Sequence, residues 1–587
     1  MPFPSPRSIA LLLLATSSVA VAADVTDWVN IEYVLNQPSS SSSTSSARNA
    51  ICQAAVSTAK QGPWSVTNQK NGVVPPSRQM SDYLSWAPYH WPDCNYCTSS
   101  NGRVHLAHDG KNGTNEDGST PQDDTGYDAQ AVRTPSHRRM TRVRRRSAEE
   151  VEAAAHLVPD PQAPLGAIPL VPTTTTTTPI ADASAPPQAA SKTKPKEPSD
   201  SCRPSPTKPM PPSATWTTCP YVVKDGQLNP DVRTLNGPSA IQNAAQSIIY
   251  NCVCCGLKGP SASQCSRNAV SAIVAFFLTP STRMNPNMNF GQVVRGPGPE
   301  GQQGTFTGIL DLRGIVKIVN CLYILRTIKS PDWTTAYNQG MMSWMKEYLG
   351  WLQQSDLGKS TAAKANNHNT FYTAQLTAIQ MGLGNTTGAL AQLDRFFGNQ
   401  FQDQIAQSGE QPLEAVRTRP FHYRCFNLEA LLTLAKLGDY LGRKYWTTQT
   451  RYKATIQSAV DFLITLDPKN EDGTEACPHV AAAAAAYGDP KGAYAKFLKK
   501  TCPDWNSQPT SFYDQSSALK NAPTNQKHKR IEMPLGNTDD PIPDFKCPLE
   551  QPVPGLPTPP KSCVTLSDGV CAPCDELKPY YEGFLST

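Results

Sequence analysis

Apolar residues recur at helical spacing in one segment after another between Ser239 and Leu466, and this constrains the fold more than any other feature. Ser239–Tyr250 reads as a helix capped by Ser239, and Asn268–Leu278 as a second. Over Ile309–Ile328 the apolar positions 309, 312, 315, 316, 319, 322 and 325 share one helical face. Trp344, Tyr348, Trp351 and Leu352 continue the pattern, which resumes at Phe371–Met381 after a polar break. Ala389–Phe397, Phe426–Leu441 and Tyr452–Leu466 complete the series. Gly442 and Pro468 stand just past the last two, where helix stop signals belong. No comparable strand alternation intervenes. The expected architecture is all-α, with helices paired antiparallel across short polar links.

The flanking regions are of other kinds. Arg7, the apolar run Ile9–Ala15 and the small residues Ala20-Val21-Ala22 have the layout of a secretory signal peptide. That run is too short to span a bilayer, and no later stretch approaches the roughly 18–20 consecutive apolar residues a crossing helix needs. An exported, extracellular protein with no membrane partner is expected. Seventeen cysteines agree with that address, because disulfides persist in oxidising compartments. Cys94 and Cys97, the set Cys252, Cys254 and Cys255, and Cys571 and Cys574 invite a zinc reading, but the sets are scattered over the whole chain. Disulfides are therefore expected, with no metal and no cofactor. The odd count leaves at least one thiol free or pairing between molecules. Asn112 and Asn385 begin glycosylation sequons.

From Thr134 to Ser213 the chain runs through Arg138, Arg139, Arg142, Arg144, Arg145 and Arg146, then a six-threonine tract and repeated prolines. Such composition buries too little apolar surface to offset the entropy of ordering. In an exported protein its arginines read as a processing site in preference to a nucleic-acid patch, with a merely solvated run as the plain alternative. Past Thr510 the chain turns rich in Pro and Cys; its cysteines staple that tail to itself or to the body, and no chemistry is read there. A net charge of +5 leans toward an anionic partner without requiring one.

Three polar clusters lack a good packing explanation. Asn366-Asn367-His368-Asn369 precedes a helix, and a helix cap needs one such residue, not four. Arg417-Thr418-Arg419-Pro420-Phe421-His422-Tyr423-Arg424 precedes another; its arginines suit carboxylates, though a solvated loop would look similar. Asp82–Asp93 sets Tyr83, Trp86, Tyr89, His90 and Trp91 between prolines, as a platform for sugar rings or as a packed plug.

Ser81–Pro92, Tyr221–Pro230, Asn285–Gln292, Gly308–Arg313, Asn366-Asn367-His368, and Arg417-Thr418 leading to Tyr423 and Phe426-Asn427-Leu428 together resemble the alginate-lyase family, in the family's order, from about Gln79 to Tyr440. Two departures sit beside the expected site and bear on substrate choice. Asn369-Thr370-Phe371-Tyr372-Thr373 replaces the family's Gly-Thr-Trp-Tyr-Asp, and His90 stands where a second tryptophan is usual. The resemblance implies an (α/α) toroid, with an acidic polysaccharide lying across its helix ends. Residues 1–22 would then be the signal peptide, 23–133 the N-terminal part of the lyase domain, 134–213 a disordered insertion, 214–510 the helical lyase domain and 511–587 the tail.

The implied chemistry is β-elimination from a uronate such as those of alginate or glucuronan. Asn367 and Arg417 would neutralise the substrate carboxylate, His368 or Tyr423 would remove the C5 proton, and Tyr423 would protonate the departing O4. A phenol beside arginines is expected to lose its proton more readily, which fits it for either role. Tyr83, Tyr89, His90, Trp91, Gln292, Arg313, Arg419 and His422 are the expected substrate-binding residues; Arg419 also rivals Arg417, and Tyr372 rivals Tyr423. A glycoside hydrolase would need two opposed carboxylates. Asp225, Asp311 and Glu414 are available, but the fullest polar clusters hold amide, imidazole, guanidinium and phenol. A non-catalytic polysaccharide-binding or wall-associated protein is the other reading, and it would have no use for His368 and Tyr423 together. Limited proteolysis should cut first within 134–213; fragments whose ends map elsewhere, with this segment intact, would reject that boundary.

Overall fold

A computed structural model of the chain describes residues 27–37, 43–69, 73–92, 220–296, 298–525 and 543–583. The described residues all belong to one compact unit, and residues 132–200 lie outside them. The signal-peptide segment, Asn112 and the processing-site arginines are likewise outside them.

The described unit is built from ten principal helices in two tiers. The outer ones are α1 (Ser45–Ala59), α3 (Ala262–Ile273), α5 (Thr335–Gln354), α7 (Thr386–Gly398) and α9 (Ile456–Leu463). Each buries one stripe; in α5 it is Met341, Trp344, Met345, Tyr348 and Leu352, the spacing of an amphipathic helix. The inner ones are α2 (Gly237–Gly256), α4 (Ile315–Thr327), α6 (Asn367–Gly382), α8 (Pro420–Tyr440) and α10 (Cys477–Tyr487). These are enclosed nearly all round, and every residue of α6 is buried. Inner helices touch in succession, α2 to α4, α4 to α6, α6 to α8 and α8 to α10, with α1 and α3 packed on α2, α7 on α6 and α9 on α8. The short turn Pro509–Phe512 contacts both α1 and α10 and links the two ends of the series. The result is an α/α toroid.

The expected helices are present, with shifted ends. The first starts at Gly237 with Pro238 in its opening turn, so Asn236 and not Ser239 holds the cap position. Ile309–Ile328 divides into a 3-10 segment, Phe306–Leu312, and α4. The last begins at Ile456, where Thr455 and Ser458 form a capping box.

Five disulfides lie among the described residues: Cys52–Cys254, Cys252–Cys321, Cys477–Cys502, Cys547–Cys574 and Cys563–Cys571. Cys571 and Cys574 thus serve separate bridges, and no metal-holding group of His, Cys, Asp or Glu occurs among the described residues. Cys255, Cys265 and Cys425 are free and buried.

Among the described residues, six short strands make three two-stranded pairs. β1 (Leu84–Trp86) runs parallel to β4 (Phe290–Val293), while β2 (His90–Pro92) pairs antiparallel with β3 (Tyr221–Val223). In the tail, β5 (Cys563–Ser567) and β6 (Val570–Pro573) form a hairpin followed by helix α11 (Cys574–Tyr581). Both tail disulfides stay within the tail, and the body is held by other means. Val564, Leu566, Leu577 and Tyr581 bury themselves against Ala365, Leu413 and Tyr452. At about 1.5–3 kcal/mol for each fully buried large side chain, this docking far exceeds thermal energy.

One buried ion cluster ties Asp27 and the segment after α10 to α8. Lys436 Nζ lies 2.9 Å from Asp27 and 2.8 Å from Asp514, and only 3% of its side chain is exposed. Removing one partner of such a cluster leaves uncompensated buried charge. Lys436→Ala should therefore lower unfolding free energy by about 3–5 kcal/mol in denaturant titration. A loss below about 1 kcal/mol, the range of an exposed pair, would show the cluster to be solvated.

Candidate active site

The inner helices alternate with outer ones, so they run the same way and begin at one end of the toroid. Arg313 stands just before α4, Asn367 and His368 open α6, and His422 and Tyr423 lie in the first turn of α8. All five line one cleft, with Tyr89, His90, Gln292 and Arg417. Helix starts present N–H groups and partial positive charge, so three converging here favour an anion. Part of that potential is already used: the Phe421 and His422 amides donate to Glu471 at 3.0 and 2.8 Å.

Asn366 fixes the chemistry of its neighbour. Its Nδ2 donates to the Leu566 carbonyl at 2.8 Å, which leaves its Oδ1 to face His368 Nδ1 at 3.1 Å. Oδ1 only accepts, so His368 carries its proton on Nδ1 and keeps a lone pair on Nε2. Burial, then Arg417 and Lys364, hold the imidazole well below its ordinary pKa. His368 is therefore neutral across the physiological range.

Arg417 is clamped on two sides. Its Nη2 donates to Asp225 Oδ1 at 2.8 Å and to the Tyr423 hydroxyl at 2.7 Å, and the guanidinium sits 3.7 Å from the centre of the Tyr423 ring. Burial opposes its charge, but Tyr423 and Asp225 outweigh that and Arg417 stays protonated. Its Nη1 is buried with no hydrogen-bond partner. Asp225 is delivered by a tight turn whose Gly226 has φ +72, and a Cβ there would collide with Thr418 Oγ1. Only glycine allows that approach.

The Tyr423 hydroxyl accepts from Arg417 and donates to the Tyr89 hydroxyl at 2.8 Å. Burial pushes this phenol up, and the lowering by Arg417 does not reverse it. The expectation that neighbouring arginines would bring Tyr423 toward ionisation is thus corrected: desolvation wins, and the phenol keeps its proton.

Other expected residues fall in different places. Tyr83 is 0% exposed and donates to Asp311 at 3.0 Å, so it supports the cleft from beneath and meets no sugar. Trp91 stands beside the cleft, its indole N–H bound to the Gln227 carbonyl at 2.8 Å and its ring under Lys224. Arg419 is half-buried with its stem near Gly226, and is not among the cleft residues. Tyr372 donates to the Leu352 carbonyl and borders a separate depression with Arg395. Gln292 donates to Asp311, which also holds Ser85 and Tyr83, so this carboxylate is consumed by three donors. Asn385 is exposed and caps α7.

Two contributors escaped the sequence reading, and Glu414, read there only as an available carboxylate, has a role that reading did not give it. Ser567 and Asp568, at the tip of the tail hairpin, line the cleft, and Asp568 lies 3.3 Å from His90 Nε2. Glu414 accepts from the Asn367 amide N–H at 3.1 Å and from its Nδ2 at 2.7 Å. The Asn367 side-chain oxygen is left buried without a partner. Burial raises Glu414 to about 7, against the pull of Arg417 and the Asn367 donors. A protonated Glu414 would donate to that oxygen if the amide turned over, aiming the Asn367 NH2 into the cleft.

The profile of the family described as alginate lyase matches residues 179–471, about half of the chain. The chain belongs to the alginate lyase family. The match carries Asn367, His368, Arg417 and Tyr423, and it begins after the aromatic segment 81–92. Among solved structures, an alginate lyase from Bacteroides ovatus is similar over 84% of this chain and 99% of its own, at 19% identity and a TM-score of 0.56. At that identity the likeness is one of fold. Alginate lyase A1-III from a Sphingomonas species is similar over 46% of this chain and 75% of its own, at 13% identity and a TM-score of 0.33. A comparison with curated proteins found no match.

In this alginate-lyase-family domain the Glu414 environment has a measurable sign. Its folded pKa, about 7, exceeds the ordinary 4.5, so folding favours the protonated form. That contribution is full below pH 4.5 and is lost as pH rises through about 7. Glu414→Gln imitates the protonated acid at every pH. Its stability relative to the wild type should grow by about 2.5 kcal/mol between pH 5 and pH 8 in denaturant titrations. A constant difference across that range would place Glu414 in contact with water.

Proposed function

We propose that this chain, a polysaccharide lyase by its family, acts on a uronate polymer, alginate or glucuronan, by β-elimination outside the cell. The observation that carries this is the joining, in one cleft, of a neutral histidine with a free Nε2 lone pair and a protonated tyrosine, under a clamped arginine.

In this reading the substrate carboxylate meets Arg417 Nη1 and the Asn367 amide, which stabilise the charge that develops when C5 loses its proton. His368 Nε2 takes that proton. The electron pair forms the C4–C5 double bond, the C4–O4 bond breaks, and the Tyr423 hydroxyl gives its proton to O4. Burial and then repulsion from Arg417 and Lys364 hold the His368 pKa down; an anion bound beside it offsets the repulsion, so the imidazole becomes a stronger base once substrate is present. Tyr89, hydrogen-bonded to Tyr423 and nearer the surface, offers a route for returning its proton. Export is supported by the five disulfides, and no helix among the described residues is long and apolar enough to cross a membrane. The leader at residues 1–22 and glycans at Asn112 and Asn385 belong to the same proposal.

The test is a panel of polyuronates with the purified protein, following the ultraviolet absorbance of the unsaturated product. Absorbance should rise with at least one polymer, and Tyr423→Phe and His368→Ala should each lower kcat on the order of 100-fold or more with the fold retained. Full activity in Tyr423→Phe would remove it from the acid role, and a flat trace with every polymer would remove the reaction.

A further inference from the structure

The C-terminal hairpin spans the cleft from one wall to the other. On one side the Leu566 carbonyl receives Asn366, which caps α6, at 2.8 Å. On the other, Asp568 meets His90 of β2 at 3.3 Å, and the backbone at Gly569 lies so close to β3 that a Cβ there would stand 2.6 Å from Val223. Gly569 has φ +71, so the tip suits glycine in conformation as well as in space.

This bridge is built as a fixed strut. Its strand residues Val564 and Leu566 are buried in a shared core with the body, and the neighbouring Glu550 pairs with buried Lys364 at 2.7 Å. Cys563–Cys571 closes the hairpin on itself, and Cys547–Cys574 ties its far end back to the incoming chain. Lifting it would expose that core and strand the buried Lys364 charge together.

We propose that this strut makes the enzyme act from polymer ends: with the cleft bridged overhead, a polysaccharide is threaded in by a terminus and cannot be laid in from the side. This rests on the lyase reading above. Ser567 and Asp568 of the tip line the same cleft as Asn367, His368, Arg417 and Tyr423, so the bridge stands directly at the site. Asp568 adds selectivity. Of the two carboxylates lining the cleft, Asp311 is consumed by three donors, whereas the Asp568 side chain is 35% exposed. A uronate passing the tip meets like charge, while a terminal sugar presents hydroxyls that a carboxylate accepts.

The experiment follows viscosity and ultraviolet absorbance together on a long polyuronate that the enzyme cleaves. Absorbance should climb while viscosity falls slowly, with mono- or short unsaturated sugars as the earliest products. Asp568→Ala, and a chain ending before β5, should each lose viscosity several-fold faster per bond broken. Should the shortened chain fail to keep its helical circular dichroism, the point variant and the wild-type product sizes still decide. An early collapse of viscosity with long fragments from the wild type would overturn end-wise action while leaving the lyase reading intact. No absorbance with any polyuronate would overturn that reading and this inference with it.

Discussion

A helix enclosed on all sides by other helices has no exposed face on which to carry charge, so the polar work of this protein is concentrated at helix ends. The sixteen residues of α6 contain no Asp, Glu, Lys or Arg. Some of its interior amides are absorbed by neighbours, as where Gln375 donates to the Ile309 carbonyl and accepts from Tyr348. α8 does bring charge inside, and Arg424 and Lys436 each find a buried acidic partner. Parallel inner helices then gather their unpaired N–H groups at one end, where a polyanion is the natural guest.

Burial does a second job at that end. It lowers the imidazole and raises the phenol, which leaves His368 neutral and Tyr423 protonated near neutral pH. Charge compensation is layered behind them: Asp225 holds Arg417, and Glu414 holds Asn367. Few direct substrate contacts are needed when the groups behind them are already committed.

The helices were legible because most keep their period for two turns or more, and the site was legible where polar residues crowd just before a helix, as at Asn366–Asn369 and Arg417–Arg424. Tyr83 was misplaced because an aromatic between prolines looks the same whether it faces solvent or, as here, a buried carboxylate more than two hundred positions away. Glu414 gave no signal for a similar reason, since its partner Asn367 lies 47 residues upstream. The tail hairpin is the largest omission. Its Ser567-Asp568-Gly569 tip does read as a turn, but nothing local says which surface a turn will meet.

Where the long insert leaves and rejoins the fold has a consequence of its own. Pro92 and Tyr221 are partners across the β2–β3 pair, so residues 93–219 leave and return at adjacent points. Cys52 lies before that segment and Cys254 after it, joined by a disulfide. A protease cutting among the arginines would convert one polypeptide into a covalently joined two-chain enzyme. Its shorter chain would carry Tyr89 and His90, its longer one Asn367, His368, Arg417 and Tyr423, and the cleft would be a shared possession of both.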